Sequence, residues 1–104
     1  MNNSKASYGE NIYVTDLRVT NNEILKLSNG LIERGIAFIF RRMYGGYQII
    51  AKDQTWDVIC HECSYGGNLG LLEIMGKYVR QTDDTVEGYL TADEILKRID
   101  EGVD

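Results

Sequence analysis

The chain has 104 residues, 43% hydrophobic and 26% charged, a composition typical of one soluble globular domain and unlike that of collagen-like or wholly disordered chains. No uncharged stretch approaches the roughly 20 apolar residues that a membrane-spanning helix needs, so we expect no membrane segment. The net charge of −5 is unevenly distributed, with net +3 over residues 1–52 and net −8 over residues 53–104. Because nucleic-acid affinity depends on neutralising phosphates, we do not expect direct binding of nucleic acid.

Cysteine and proline usage narrows the class of protein further. Two cysteines are too few for a disulfide-rich secreted scaffold, and the opening residues Met1-Asn2-Asn3-Ser4-Lys5 lack the apolar segment of a secretory signal. We therefore expect reduced thiols and a cytoplasmic location. Proline is absent, so the boundaries of helices and strands are predicted from glycine and from Asn and Asp clusters.

The chain begins with a polar segment. Residues 1–11 are aperiodic, which predicts a flexible N-terminal arm ahead of a single domain over residues 12–104. Residues 12–14 are apolar and are expected to form either a short strand or a packed extended segment.

A first helix is predicted over residues 21–34. Thr20 and Glu23 fit a capping box, in which each side chain satisfies a backbone N–H of the first turn. Apolar residues then recur at helical spacing, and Gly35 is the natural stop.

Paired glycines predict a β-hairpin next. Residues 36–43 are rich in aromatic and β-branched residues, residues 47–52 form the return strand, and Gly45-Gly46 is expected to be the two-residue turn. Three pairs then lie opposite each other: Tyr44 with Tyr47, Arg42 with Ile49, and Phe40 with Ala51. Four residues share the face that packs on the first helix: Phe38, Phe40, Ile49 and Ala51. The other face is expected to be mostly polar and solvated.

Two further strands are predicted after the hairpin. Residues 56–63 alternate in polarity and read as a third strand, followed by a glycine-rich connection over residues 64–70. Residues 71–79 fit either a strand or a helix, and the glycines at 70 and 76 favour the strand.

The C-terminal part predicts a polar loop and a second helix. Residues 81–88 are polar, and Thr91 with Glu94 repeats the capping box before an apolar stripe, which predicts a helix over residues 92–101. The predicted fold is α+β with the order α-β-β-β-β-α. It is an antiparallel four-stranded meander with two helices packed on one face.

The cluster Cys60-His61-Glu62-Cys63 is the only group of soft metal ligands in the sequence. Structural zinc needs four ligands, usually in two pairs, and no second pair is present. Strand alternation also directs neighbouring side chains to opposite faces, which disfavours a Cys–His nucleophile. We expect no metal, no cofactor and no enzymatic activity, with Cys60 buried as a small apolar residue.

The glycine-rich segment at residues 64–70 permits an alternative function. Such loops bind phosphates in some proteins, so a small-ligand or nucleotide-binding protein is the second hypothesis. The segment lacks the lysine of a phosphate-binding loop, and its glycines are also explained by turns that need positive φ.

Two groups of residues are predicted to bind a partner protein. Three carboxylates in the predicted polar loop have no local role: Asp83, Asp84 and Glu87. Three tyrosines are predicted at turns or loops, where an aromatic ring suits an interface: Tyr44, Tyr47 and Tyr65. A cross-strand pair of Tyr44 with Tyr47 that only holds the hairpin is the alternative.

The segments Ser64-Tyr65-Gly66, Gly70-Leu71-Leu72-Glu73 and Gly88-Tyr89-Leu90-Thr91-Ala92-Asp93-Glu94 resemble small accessory proteins of bacteriophages and prophages. Anti-CRISPR inhibitors belong to that group. The resemblance implies a non-enzymatic inhibitor, located in the bacterial cytoplasm, that occludes a basic nucleic-acid-binding site on a larger protein such as a Cas effector. Steering by the acidic half and anchoring by tyrosines are the expected mechanism.

Overall fold

The computed structural model describes residues 21–80 and 85–102, and it has an α+β architecture with a five-stranded antiparallel sheet. The strands lie in the sheet in chain order, as in a meander. The predicted N-terminal arm and the apolar segment at residues 12–14 lie outside the described residues. The elements are α1 (Asn22–Glu33), β1 (Phe38–Met43), β2 (Gly46–Ala51), β3 (Trp56–Cys60), a 3-10 turn (Gly67–Leu69), β4 (Leu72–Gly76), β5 (Val86–Leu90) and α2 (Ala92–Glu101).

Helix α1 is one residue shorter than predicted at each end and has a different N-cap. Asn21 rather than Thr20 caps it, and the Asn21 Oδ1 accepts a hydrogen bond from the backbone N–H of Ile24 at 2.6 Å. The Glu23 carboxylate accepts a hydrogen bond from the N–H of Ala92 at 2.7 Å, which joins the first turns of the two helices. At its other end the helix stops at Gly35, whose φ of 67° confirms the predicted stop.

Helix α2 confirms the second capping box. The Thr91 side chain accepts from the Glu94 N–H, and the Glu94 carboxylate accepts from the Thr91 N–H at 2.8 Å. The helix covers the predicted residues 92–101 and ends at Gly102. The capping box at the start of α2 and the glycine at its end therefore predict its extent correctly.

The first hairpin turns one residue earlier than predicted. Tyr44 and Gly45 are the turn residues, with φ of 46° and 77°, as a type I′ turn requires. Arg42 lies opposite Tyr47, so the predicted pairing of Tyr44 with Tyr47 is wrong. Because the partner of each residue moves by two positions, every side chain keeps its predicted face.

Gly46 has a different role from the predicted one. A Cβ atom there would overlap the carbonyl oxygen of Cys60 and lie 2.7 Å from the Cα of His61. The glycine therefore allows the start of β2 to approach the end of β3, and it is not a turn residue.

The third and fourth strands are both present but shorter than predicted. β3 ends at Cys60, because the chain turns at His61, whose carbonyl accepts the Ser64 N–H at 3.1 Å. Residues 71–79 contain strand β4, so the helical alternative is wrong. β4 ends at Gly76, where φ is 99° and a Cβ would overlap the Thr55 carbonyl.

The sheet has a fifth strand where the sequence predicted a polar loop. In β5, Val86 lies opposite Met75 and Leu90 lies opposite Leu72, with an irregular register between them. The prediction of four strands is therefore wrong by one. Glu87 and Gly88 have low strand propensity, and pairing with the open edge of β4 overrides it.

Both helices pack on one face of the sheet, as predicted. A Cβ at Gly30 of α1 would overlap the Leu96 side chain of α2, so this glycine allows the helices to approach each other. The helices contribute Ile24, Leu27, Leu31, Ile95 and Leu96 to the core, and the sheet contributes Phe40, Tyr47, Ile49, Ala51, Trp56, Val58, Cys60, Leu72, Ile74 and Leu90.

The opposite face of the sheet is polar, as predicted, but it is not uniformly solvated. Arg41 Nε donates to Gln48 Oε1 at 2.7 Å, and Gln48 Nε2 donates to Asp57 Oδ2 at 3.1 Å. Gln48 and Ile39 are buried, and the amide is satisfied by its neighbours. Among the described residues, no helix is long and apolar enough to cross a membrane.

Candidate protein-binding surface

Four large side chains that are apolar or aromatic project into solvent at one end of the sheet. They lie on the β1–β2 turn, the β3–β4 connection and the end of β5. Their exposed fractions are 76% for Tyr44, 57% for Tyr65, 67% for Leu69 and 59% for Tyr89. Together with His61 we call them the tyrosine surface. Among the described residues, Tyr44, Tyr65, Leu69 and Tyr89 are four of the six exposed large hydrophobic side chains. Exposed apolar patches are a common feature of interaction sites, so this surface is the candidate.

Tyr44 is held at the tip of the hairpin by backbone and ring contacts. Its φ of 46° lies in the left-handed region, which is unfavourable for a bulky residue. Its ring packs edge-to-face on the imidazole of His61, with ring centroids 5.6 Å apart. The exposed carboxylate of Glu62 lies beside Gly45 of the same turn. The tip therefore presents an aromatic ring next to a negative charge.

Tyr65 and Tyr89 are joined through their backbones. The Tyr89 N–H donates to the Tyr65 carbonyl at 3.2 Å, and the Tyr65 N–H donates to the buried carboxylate of Glu73 at 2.7 Å. A Cβ at Gly88 would overlap the Tyr65 Cβ, so only glycine permits this contact. Tyr89 also has a positive φ, 62°. Both rings are therefore exposed on a fixed backbone.

The β3–β4 connection that carries Tyr65 and Leu69 is closed by its own hydrogen bonds. The buried Ser64 hydroxyl donates to the His61 carbonyl at 2.8 Å and accepts the His61 N–H at 2.9 Å. The N–H groups of Gly67, Leu69 and Gly70 donate to backbone carbonyls within the loop. These donors are unavailable to a phosphate, which disfavours the small-anion hypothesis for residues 64–70.

The cysteines and the histidine have structural contacts. Cys60 is buried, as predicted, and its Sγ accepts a hydrogen bond from the Asn21 side-chain amide at 3.1 Å. Burial raises the pKa of the Cys60 thiol, partly offset by the Asn21 hydrogen bond. Cys63 is exposed, and its N–H donates to His61 Nδ1 at 3.1 Å. Within residues 21–80 and 85–102, no group of three or more potential metal ligands is present.

Tyr47, predicted to bind a partner, is not exposed. Tyr47 is buried, with its ring edge-to-face with Phe40 at 6.0 Å and the Arg42 guanidinium 5.9 Å from its centroid. Tyr47 is therefore part of the core and not of the tyrosine surface. Asp83 and Asp84 lie outside the described residues.

Glu87 lies in β5, and its placement in a loop without a basic neighbour is wrong. Its two carboxylate oxygens accept from Arg98 Nη1 and Nη2, each at 2.8 Å, and the Arg80 N–H donates to it at 2.9 Å. Arg98 Nη1 also donates to the Tyr78 carbonyl at 3.0 Å. The side chains of Glu87 and Arg98 are only 14% and 15% exposed. Because Glu87 lies in the edge strand β5 and Arg98 lies in α2, this largely buried pair connects α2 to the edge of the sheet.

Sequence reasoning missed Tyr89, Leu69 and His61 as parts of the surface. The sequence predicts a loop directly before Tyr89, and it predicts only a glycine-rich connection around Leu69. Gly88 directly before Tyr89 was the available signal, since an isolated glycine in an extended segment marks a close backbone approach.

Comparison with known protein families, with curated proteins and with solved structures finds no match to this chain. No relative or structural neighbour therefore bears on the predicted resemblance to phage accessory proteins, which stays a prediction.

Proposed function

We propose that this protein is a non-enzymatic inhibitor that uses the tyrosine surface to occupy a basic nucleic-acid-binding site on a larger protein. The observation that carries the proposal is the grouping of exposed Tyr44, Tyr65, Leu69 and Tyr89 at one end of the sheet. Tyrosine is enriched among the residues that dominate binding energy, because it buries a large ring and still hydrogen-bonds through its hydroxyl.

Preorganisation supports the same proposal. The hydrogen bonds of the β3–β4 connection and the contact of Tyr65 with Tyr89 hold the backbone in place before any partner arrives. Little conformational entropy is then lost on association, so more of the contact energy becomes affinity.

Charge supports a basic partner. The chain carries net −5, and the exposed carboxylate of Glu62 lies beside the Tyr44 turn. Asp83 and Asp84, which lie outside the described residues, belong to the half of the sequence that carries net −8. Opposite charge accelerates association with a basic groove, and this acceleration declines as salt screens it.

The unfavourable backbone of Tyr44 predicts a trade-off between stability and binding. Asn adopts positive φ more readily than Tyr at the first central position of a type I′ turn. Tyr44→Asn should therefore raise the free energy of unfolding by about 0.5 kcal/mol or more, and chemical denaturation measures it. The same change should weaken partner binding. A clear loss of stability would contradict the strained-turn interpretation.

The proposed function is tested by capture from bacterial lysate with wild-type protein and with the variant Tyr44→Asn/Tyr65→Ser/Tyr89→Asn. The specific partner should be enriched by the wild type and depleted by the variant, and mass spectrometry identifies it. Ile32→Ala/Met75→Ala is the matched control, because it removes two exposed apolar side chains that lie outside the tyrosine surface.

Experiments with the purified partner then test the proposed mechanism. Wild-type protein should displace labelled nucleic acid from it in fluorescence anisotropy, and Asp83→Asn/Asp84→Asn should slow association and flatten its salt dependence. Glu87 is left intact because its loss would disturb folding. A partner that binds the triple tyrosine variant equally well, or that keeps its nucleic acid when the wild type binds, would overturn the proposal.

A further inference from the structure

A concave site lies at the end of the sheet opposite the tyrosine surface. It is a crevice of about 330 Å³ where β2 ends, β3 begins and the last turn of α2 passes. Its apolar walls come from the partly buried Ile36, Tyr78 and Ile99 and from the small exposed part of Trp56, which is 6% exposed. We call it the Trp56 crevice. Its volume lies at the lower end of the range of small-molecule sites, roughly 300–1,000 Å³.

Aromatic rings and fixed backbone define its shape. Trp56 and Tyr78 meet edge-to-face with centroids 6.0 Å apart. The Lys77 N–H donates to the Thr55 carbonyl at 2.9 Å, and Gly76 permits that approach. Trp56 begins β3, and Lys77 is joined to Thr55 by a backbone hydrogen bond, so this part of the wall is held by backbone contacts.

Two lysines give the rim a positive charge. Lys52 forms no ion pair with any described residue, and the Lys77 ammonium lies 5.5 Å from the Tyr78 ring centroid. Asp53 also lines the crevice, but its Oδ1 accepts from the N–H and hydroxyl of Thr55 at 3.1 and 2.7 Å. Among the lining residues that the structure describes, two lysines outnumber the one carboxylate, so this described rim carries a net positive charge in a chain of net −5.

We propose that the Trp56 crevice binds a small aromatic carboxylate, with its ring against Trp56 and Tyr78 and its carboxylate between Lys52 and Lys77. Aromatic walls favour a flat apolar body through stacking and edge contacts. The two ammonium groups favour an anion over a neutral or cationic analogue of the same shape. The site is independent of the tyrosine surface and of the proposed inhibitor function.

The test is an NMR titration with 2-naphthoate, followed at the Trp56 indole N–H, which is unique because the chain has one tryptophan. 2-Naphthoate should shift this signal with a dissociation constant of about 1 mM or tighter. Its neutral isostere 2-naphthamide should bind about five-fold more weakly, since it lacks the attraction to two lysines.

Substitution of the lysines separates charge from shape. Lys52→Gln/Lys77→Gln should remove the five-fold preference and leave 2-naphthamide binding unchanged, while Lys97→Gln on the exposed face of α2 should keep the preference. Signal dispersion in the same spectra shows whether each variant is folded, and the single lysine variants should each lose part of the preference. An unmoved Trp56 signal, equal binding of the amide, or an equal effect of Lys97→Gln would overturn the proposal.

Discussion

Replacement of Arg98 by Met should lower the free energy of unfolding by about 2 to 3 kcal/mol. The substitution removes both hydrogen bonds to Glu87 and the bond to the Tyr78 carbonyl. It also leaves the Glu87 carboxylate largely buried with the Arg80 N–H as its remaining donor. Urea denaturation of the purified protein measures the change.

The matched control is Arg80→Met, which removes an exposed ion pair. Arg80 Nη2 lies 3.1 Å from Glu101 Oε1, with both side chains about half exposed. Exposed pairs contribute about 0.5 kcal/mol on average, so this variant should be nearly as stable as the wild type. If the two variants lost the same stability, the Glu87–Arg98 pair would not have the assigned role.

The same pair predicts a pH dependence with a definite sign. Hydrogen bonds from Arg98, partly opposed by burial, hold the pKa of Glu87 below its ordinary value of 4.5. A carboxylate with a lowered folded-state pKa stabilises the protein fully above its ordinary pKa, and this stabilisation is lost as the pH falls through the folded-state pKa. Wild type should therefore exceed Glu87→Gln in stability at pH 7, and the difference should shrink below pH 4.5.

Other carboxylates with lowered pKa values do not affect this difference in stability. Asp100, paired with Arg34, and Asp53, bonded to Thr55, also have lowered pKa values. Both are present in wild type and in Glu87→Gln, so their contributions cancel in the difference. A difference that stayed constant from pH 7 to pH 3 would contradict the ionised pair.

Gly46→Ala should be the most destabilising of the glycine substitutions in the hairpin, at about 3 kcal/mol or more. The new methyl group would overlap the Cys60 carbonyl and the His61 backbone, which are rigid parts of β3 and its turn. The start of β2 would have to move away from β3, which disrupts the pairing of Tyr47 with Cys60. Thermal and urea unfolding measure the loss.

Gly45→Ala is the matched neighbour. Gly45 has φ of 77°, and an added Cβ would meet only Glu62 Oε2 at 3.9 Å. The cost is then backbone strain alone, about 1 to 2 kcal/mol. A larger loss for Gly45→Ala than for Gly46→Ala would favour the turn at Gly45-Gly46 and contradict the observed register.

The two exposed tyrosines that the sequence assigned correctly both lie beside glycines. Tyr44 precedes Gly45, and Tyr65 precedes Gly66, so turn chemistry alone predicted that their backbones lie at the surface. Tyr47 also lies beside a glycine, but it follows Gly46 instead of preceding it, and its side chain is buried in the core. Whether a tyrosine beside a glycine is exposed depends on whether it lies in the turn or in the adjoining strand, and the neighbouring glycine alone does not distinguish these cases.

Features of the fold that depend on local rules were predictable from the sequence. The helix ends follow from Thr91, Glu94 and Gly35, because caps satisfy backbone groups within a few residues. The core face of the hairpin follows from the alternating direction of side chains along a strand, which is unchanged by a two-residue change in pairing.

Other features of the fold depend on contacts between segments that are distant in the sequence. β5 forms because β4 offers an open edge, and Glu87 pairs with Arg98 from the next element. Position 46 requires glycine because the backbone at the end of β3 leaves no room for a Cβ atom. The local sequence around Gly45-Gly46 predicts a turn residue there and does not reveal this contact. These outcomes rest on side chains and backbones that meet only after the sheet assembles, so no local pattern in the sequence encodes them.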